Sequence, residues 1–118
     1  MTNTHTHDAE GQSVVLSDLA ANLIAELPKH KAGRCAHTII GGSGMRAVLL
    51  ALAEGSALAE HDAPGAATLQ VVVGNVRLIA GETTWSLGAG DLIRIPPQRH
   101  SVEADSEAAF LLTVALRA

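Results

Sequence analysis

Residues 55–74 read GSALAEHDAPGAATLQVVVG, and residues 90–100 read GDLIRIPPQRH. Each stretch begins at a glycine, contains a short run of apolar residues and carries one histidine, His61 in the first and His100 in the second. Short apolar runs bounded by Gly, Pro and Asp are typical of β-strands separated by turns. We therefore expect the two stretches to form two parts of one small barrel, with both histidines at a shared concave site.

The same alternation of turns and strand-like runs extends over most of the chain. Gly- and Pro-rich turns recur between short segments rich in Val, Ile, Leu and Thr. Nine strands are predicted, at about residues 34–40, 45–53, 57–60, 68–73, 76–80, 83–87, 91–95, 99–103 and 109–116. Gly74 and Asn75 predict a tight hairpin between two of them, because glycine accepts a positive φ. Many short strands at this spacing indicate an all-β antiparallel sandwich or barrel.

One amphipathic helix is predicted ahead of the strands, at about residues 17–27. Leu19, Leu23, Ile24 and Leu27 recur at helical spacing. Ser17 is the expected N-cap, with Asp18 in the first turn, and the proline after Leu27 ends the pattern. The apolar side of this helix must cover either the barrel itself or a partner subunit. Residues 1–12 are polar and predict a disordered tail, so residues 13–118 are expected to form a single domain.

Composition excludes several classes of function. The net charge is −4 and the basic residues are scattered, which argues against a nucleic-acid partner. No apolar run reaches the roughly 18 residues of a membrane span, so no membrane partner is expected. The N-terminus lacks the charged start and apolar run of a signal peptide, and the single cysteine, Cys35, cannot form an intrachain disulfide. Both observations favour a cytoplasmic protein.

The two quoted stretches resemble the motifs of small single-domain cupins. The first cupin motif is Gly-x5-His-x-His-x(3,4)-Glu-x6-Gly, and residues 55–74 keep its glycine frame and its first histidine, His61. Ala63 stands in place of the second histidine and Ala67 in place of the glutamate. The resemblance covers about residues 45–116. It implies a cupin-like antiparallel β-barrel, or jelly roll, preceded by the predicted helix.

The second cupin motif is only partly kept. Its pattern is Gly-x5-Pro-x-Gly-x2-His, and residues 90–96 match the glycine and the proline. Gln98 replaces the second glycine, and His100 arrives one residue early. By resemblance, an intact cupin metal site uses three histidines and a glutamate. Here the matched positions supply His61 and His100 alone, and two imidazoles bind a divalent metal weakly without a third donor.

Other residues are additional candidates for the site. Gln70 is a candidate to orient a ligand beside His61 and His100, and His37 is a candidate third metal donor. Glu60 and Asp62 flank His61, so strand alternation directs them to the opposite face.

The arginines, the tryptophan and the cysteine have plainer interpretations. Arg94 alternates with Ile93 and Ile95 and is expected to point outward, whereas an arginine pointing inward could bind a carboxylate. Trp85 is expected to pack against neighbouring residues, and Cys35 to be a small buried apolar residue.

Three functional hypotheses follow from these residues. The first is a non-catalytic module that binds or senses a small molecule through His61, His100 and Gln70, with no cofactor. The second is a metal-dependent enzyme of the dioxygenase or isomerase type, in which His61 and His100, together with a third donor such as His37, hold Zn, Fe, Ni or Mn. The third is a structural or interaction protein that acts through its dimer surface. A homodimer is expected because pairing would cover open strand edges.

Overall fold

The computed structural model of the protein describes residues 11–62 and 65–116, and for His61 the backbone alone. Most of the predicted N-terminal tail, and the Ala63 position of the first motif, therefore lie outside the described residues.

The predicted helix is present as α1, Leu16–Glu26, and a 3-10 turn at Leu27–Lys29 follows it. The prediction that Ser17 is the N-cap was wrong, because the helix begins earlier and Val15 occupies that position. The Val15 carbonyl accepts hydrogen bonds from the amides of Asp18 and Leu19, both at 3.1 Å. Pro28 lies in the 3-10 turn, where the α-helical hydrogen bonding has already ended, as the sequence predicted.

The nine predicted strands are all present, within a residue or so of their predicted ends. They are β1 Arg34–Gly41, β2 Met45–Leu52, β3 Ala57–His61, β4 Ala67–Val73, β5 Asn75–Ala80, β6 Thr83–Gly88, β7 Leu92–Arg94, β8 His100–Ala104 and β9 Ala108–Ala115. They form a five-stranded sheet in the order β1-β2-β9-β4-β7 and a four-stranded sheet in the order β3-β8-β5-β6. Every described pairing is antiparallel.

The hairpin predicted at Gly74 is not formed. Gly74 does have a positive φ of 81°, but β4 lies in the five-stranded sheet and β5 in the four-stranded sheet. The chain therefore crosses between the sheets at this glycine. The corner is held by the loop before β9, where the Ser106 hydroxyl accepts a hydrogen bond from the Asn75 amide at 3.0 Å. The local sequence predicted a turn, and contacts with a distant segment determined which strands it joins.

The sheets enclose one apolar core, here called the barrel core. Its largest fully buried side chains include Phe110, Leu69, Leu78, Val76 and Val102, which come from both sheets. Alternate residues of β2, β4, β5, β8 and β9 belong to this core, as expected for strands with one buried face.

The side of the five-stranded sheet that points away from the barrel core is here called the outer face. A second apolar cluster lies on it. Helix α1 packs there against β1, β2, β4 and β9. Leu23 and Leu27 are buried against Leu49, Ala51 and Ala109 of the sheet. The helix therefore covers its own barrel, the first of the two alternatives left open by the sequence. No helix in the described part of the chain is long and apolar enough to cross a membrane.

Candidate functional site

The two histidine positions singled out by the sequence are backbone partners in one strand pair. The backbones of β3 and β8 are antiparallel, and His61 is the register partner of His100. A β-bulge between Leu58 and His61 places one extra residue in β3 relative to β8. Because of this extra residue, His61 pairs with His100. Directly opposed positions of an antiparallel pair share one face of the sheet and have Cβ atoms about 4.5–5.5 Å apart. The two backbone positions are therefore adjacent.

His100 lies on the inner face of β8. Its exposed fraction is 2%, and it is the only buried polar or charged residue among those described. On the same face of β8, Val102 and Ala104 belong to the barrel core. The imidazole thus ends an otherwise apolar row, in surroundings where a polar atom without a partner would be costly.

The turn before β8 fixes the orientation of the His100 ring. The ring nitrogen Nδ1 lies 2.9 Å from the backbone oxygen of Gln98. A carbonyl oxygen only accepts hydrogen bonds, so Nδ1 carries the proton and Nε2 is the acceptor nitrogen of the neutral ring. The Gln98 amide in turn donates to the Pro96 carbonyl at 2.8 Å. Pro96 and Pro97 restrict the backbone of this turn. The turn thus fixes the position of the Gln98 carbonyl that orients the His100 ring.

An exposed ionic cluster joins the same strand ends on the outside of the barrel. Arg99 Nε lies 3.4 Å from Glu60 Oε1, and Arg99 Nη1 lies 3.3 Å from Asp62 Oδ1. These three residues alternate with His61 and His100 along the two strands, so they occupy the opposite face. This facing was predicted for Glu60 and Asp62, whereas the role of Arg99 was missed. The sequence did carry a signal for this role. Arg99 is next to His100, and its positive charge complements the two acids next to His61.

Gln70 and His37 are not brought to the histidine pair. Gln70 alternates on β4 with Leu69 and Val71, which lie in the barrel core, so it lies on the outer face. His37 pairs with Leu49, which packs under helix α1 on that same face. Gln70 and His37 are also far from each other. They lie three strands apart, about 14 Å at the usual strand spacing.

The described residues do not supply a full metal site. No group of three or more His, Cys, Asp or Glu residues that could hold a metal ion occurs in the described part of the chain. Glu60 and Asp62 are engaged with Arg99 on the outside, and His37 is on the outer face of β1, where it pairs with Leu49. A divalent transition metal requires several converging donors, and the described side chains provide no such set. The side chain of His61 lies outside the described residues.

Trp85, Cys35 and Arg94 contribute to packing or face solvent. Trp85 is half-buried and packs against the barrel core. Cys35 is half-buried against α1, and its thiol donates a hydrogen bond to the Leu23 carbonyl at 3.3 Å. Burial, with a smaller contribution from the negative charge of Glu26, raises the pKa of this thiol. Arg94 is exposed on the outer face, opposite in direction to the buried Ile95.

Comparison with known proteins identifies the fold. No family model matches the chain, and no curated protein matches it in sequence. A cupin superfamily protein from Desulfitobacterium hafniense DCB-2 superimposes with a TM-score of 0.76 at 11% identity, covering 96% of this chain and 98% of the other. A conserved protein of unknown function from Streptococcus pyogenes gives 0.72 at 17% identity, over 97% and 96% of the two chains.

An enzyme is also similar in structure. Salicylate 1,2-dioxygenase from Pseudoaminobacter salicylatoxidans, in its adduct with gentisate, matches with a TM-score of 0.66 at 19% identity. The match covers 83% of this chain and 31% of the dioxygenase chain. At these identities the likeness concerns the fold alone. The chain has the fold of a small cupin-type domain, which confirms the jelly-roll architecture expected from its two glycine frames.

Proposed function

We propose that this protein is a non-catalytic module that binds or senses a small molecule at the end of the barrel marked by His61 and His100. The observation that carries the proposal is the burial of His100 at the end of an apolar row, with its ring oriented by the Gln98 carbonyl. A buried polar group in an apolar surrounding is typical of ligand sites, where a few placed polar groups give orientation and specificity.

The surroundings indicate the kind of ligand. Val102 and Ile95 are buried in the barrel core near His100 in sequence, so the inner surface offers aliphatic contacts. In the tautomer set by the Gln98 carbonyl, Nε2 of the imidazole is a hydrogen-bond acceptor. A small, largely apolar molecule with one hydrogen-bonding group matches this combination. We propose binding through these groups alone, without a metal.

The test uses untagged protein, since an affinity tag of histidines would bind metal itself. Native mass spectrometry after incubation with the small-molecule fraction of a cell extract, together with elemental analysis, is applied to wild type, His100→Leu and His61→Ala. His30→Gln is the matched control, because His30 is an exposed histidine at the end of the 3-10 turn. We expect wild type and the control to retain a bound small molecule that both site variants lose.

Two other outcomes would contradict the proposal. Stoichiometric metal that is present in wild type and lost in both site variants would indicate the metal-dependent enzyme instead. The absence of any bound molecule or metal, combined with a stable homodimer, would indicate a structural or interaction protein. The homodimer itself remains a prediction, and it now depends on the open strand edges, because the apolar side of α1 is occupied by its own sheet.

A further inference from the structure

A groove on the five-stranded sheet is separate from the histidine pair. Its volume is ≈ 340 Å³, and its lining includes Met45, Ala66, Thr68, Arg94, Thr113 and Ala115. We call it the end groove. This volume is within the range of about 300–1,000 Å³ that is usual for small-molecule sites. The end groove is therefore large enough for a small ligand.

Strand register places the polar groups of the end groove in one row. Arg94 on β7 is the partner of Thr68 on β4, and Thr68 is the partner of Thr113 on β9. Residues directly opposite each other on neighbouring strands have Cβ atoms about 4.5–5.5 Å apart and share a face. One guanidinium and two hydroxyl groups are therefore neighbours on the outer face. Both threonines are half-buried, which restricts their positions.

The end groove is the part of the outer face that the helix leaves uncovered. Helix α1 packs over Leu49, Ala51, Ala109 and Leu111. Thr113 lies two residues beyond Leu111 on the same strand face, past this covered cluster. The groove therefore lies beyond the cluster that the helix covers, and strand residues and the segment before β4 line it.

The charge of the end groove is positive and unbalanced. Among the described residues Arg94 forms no ion pair, whereas Arg77 is paired with Glu103 and Asp105. None of the residues that line the groove is acidic. In a chain with a net charge of −4, an arginine in this position is available to an anion from outside the protein.

We propose that the end groove binds a small monocarboxylate with a short aliphatic tail. The planar guanidinium of Arg94 suits the two oxygens of a carboxylate, and the Thr68 hydroxyl can donate to the same group. The tail lies against Met45, Ala66 and Ala115, which supply apolar surface. The site uses neither His61 nor His100, so its test is independent of the proposed function.

The test is a titration of the full chain, followed by the amide resonances of Thr68, Arg94 and Thr113. The probes are hexanoate, hexanamide and hexylammonium, which share a tail and differ in charge. We expect saturable shifts with hexanoate, and binding weaker by at least about fivefold for the neutral and cationic probes. Arg94→Gln should weaken hexanoate binding by a similar factor. Arg34→Gln is the matched control, since Arg34 is also exposed, has no ion pair within the described residues and lies far from the groove on β1.

Four results of the probe titrations would overturn the proposal. They are the absence of saturable shifts with hexanoate, equal binding of hexanoate and hexanamide, unchanged binding in Arg94→Gln, and shifts confined to His100 and Val102. Groove shifts that depend on protein concentration without any probe, together with a dimeric mass, would also overturn it, by showing that a second copy of the chain occupies the groove. Thr113→Val serves as a second variant because it keeps the side-chain shape and removes one hydroxyl. It should weaken hexanoate binding less than Arg94→Gln does.

Discussion

His61 and His100 are register partners on β3 and β8, although residues 62–99 separate them in the chain. The strand pair brings the two positions together, and the bulge between Leu58 and His61 sets their alignment. On the outside, Arg99 joins the acids that flank His61. The end of the barrel is therefore organised by three separate features: strand pairing, the turn at Gln98 and an ionic cluster.

Replacing His100 should affect binding far more than stability. His100→Leu exchanges a buried imidazole for an apolar side chain and removes one hydrogen bond, to the carbonyl of the exposed residue Gln98. We expect the free energy of unfolding to change by no more than about 1 kcal/mol. Phe110→Ala, in the fully buried core, should cost about 3–5 kcal/mol. Urea denaturation of both variants provides the measurement, and a His100→Leu cost equal to that of Phe110→Ala would show a structural histidine.

Removing the charge of Arg99 should have a small effect that depends on salt. The ion pairs with Glu60 and Asp62 are exposed, so Arg99→Gln should lower the free energy of unfolding by less than about 1 kcal/mol. The difference from wild type should shrink in molar salt, where the Debye length is about 3 Å. Lys31→Gln is the control, an exposed cation for which no ion pair is found in the described part of the chain. A salt-independent loss above about 2 kcal/mol would require another role for Arg99.

Gly74 should tolerate substitution much less well than Gly90. Both have a positive φ, 81° and 93°, so alanine is strained at either position. A Cβ at Gly74 would also collide with the Glu107 carbonyl oxygen, whereas a Cβ at Gly90 meets nothing within 4 Å. We expect Gly90→Ala to cost about 1–2 kcal/mol and Gly74→Ala clearly more. Thermal and urea unfolding of the two variants provides the measurement, and equal costs would mean that the corner between the sheets relaxes freely.

The thiol of Cys35 should be slow to alkylate at neutral pH. Burial, and then the charge of Glu26, raise its pKa, so the reactive thiolate forms only at a higher pH than in an exposed cysteine. The rate of reaction with iodoacetamide should keep rising with pH above the ordinary thiol pKa. Leu23→Ala should accelerate the reaction, since Leu23 lies over this region in the helix cluster. Full reactivity of the wild type at neutral pH would show that the helix does not protect the thiol.

Local sequence was sufficient to predict the elements of this fold. Alternating apolar residues between Gly and Pro turns located all nine strands, and the spacing of Leu19, Leu23, Ile24 and Leu27 located the helix. These patterns can be read from short segments because the spacing of buried side chains is set by the strand or helix itself and not by the segment that packs against it. The N-cap at Ser17 and the hairpin at Gly74 failed for different reasons. The helix begins ahead of Ser17, which moved the cap to Val15, and contacts with residues 106–108 set the path of the chain at Gly74.

Two features of the candidate site could be predicted from local sequence: the strands that carry His61 and His100, and the proline turn ahead of His100. The grouping of residues into one site could not. Gln70 and His37 were both candidates in the sequence, yet the order of strands in the sheet places them on the outer face, with Leu111 and Leu49 between them. The same strand order put Arg94, Thr68 and Thr113 in one row. The physical reason is that each strand alternates its side chains between two faces by its own geometry. Which strands lie side by side depends instead on how distant segments of the chain pack together to bury their apolar faces.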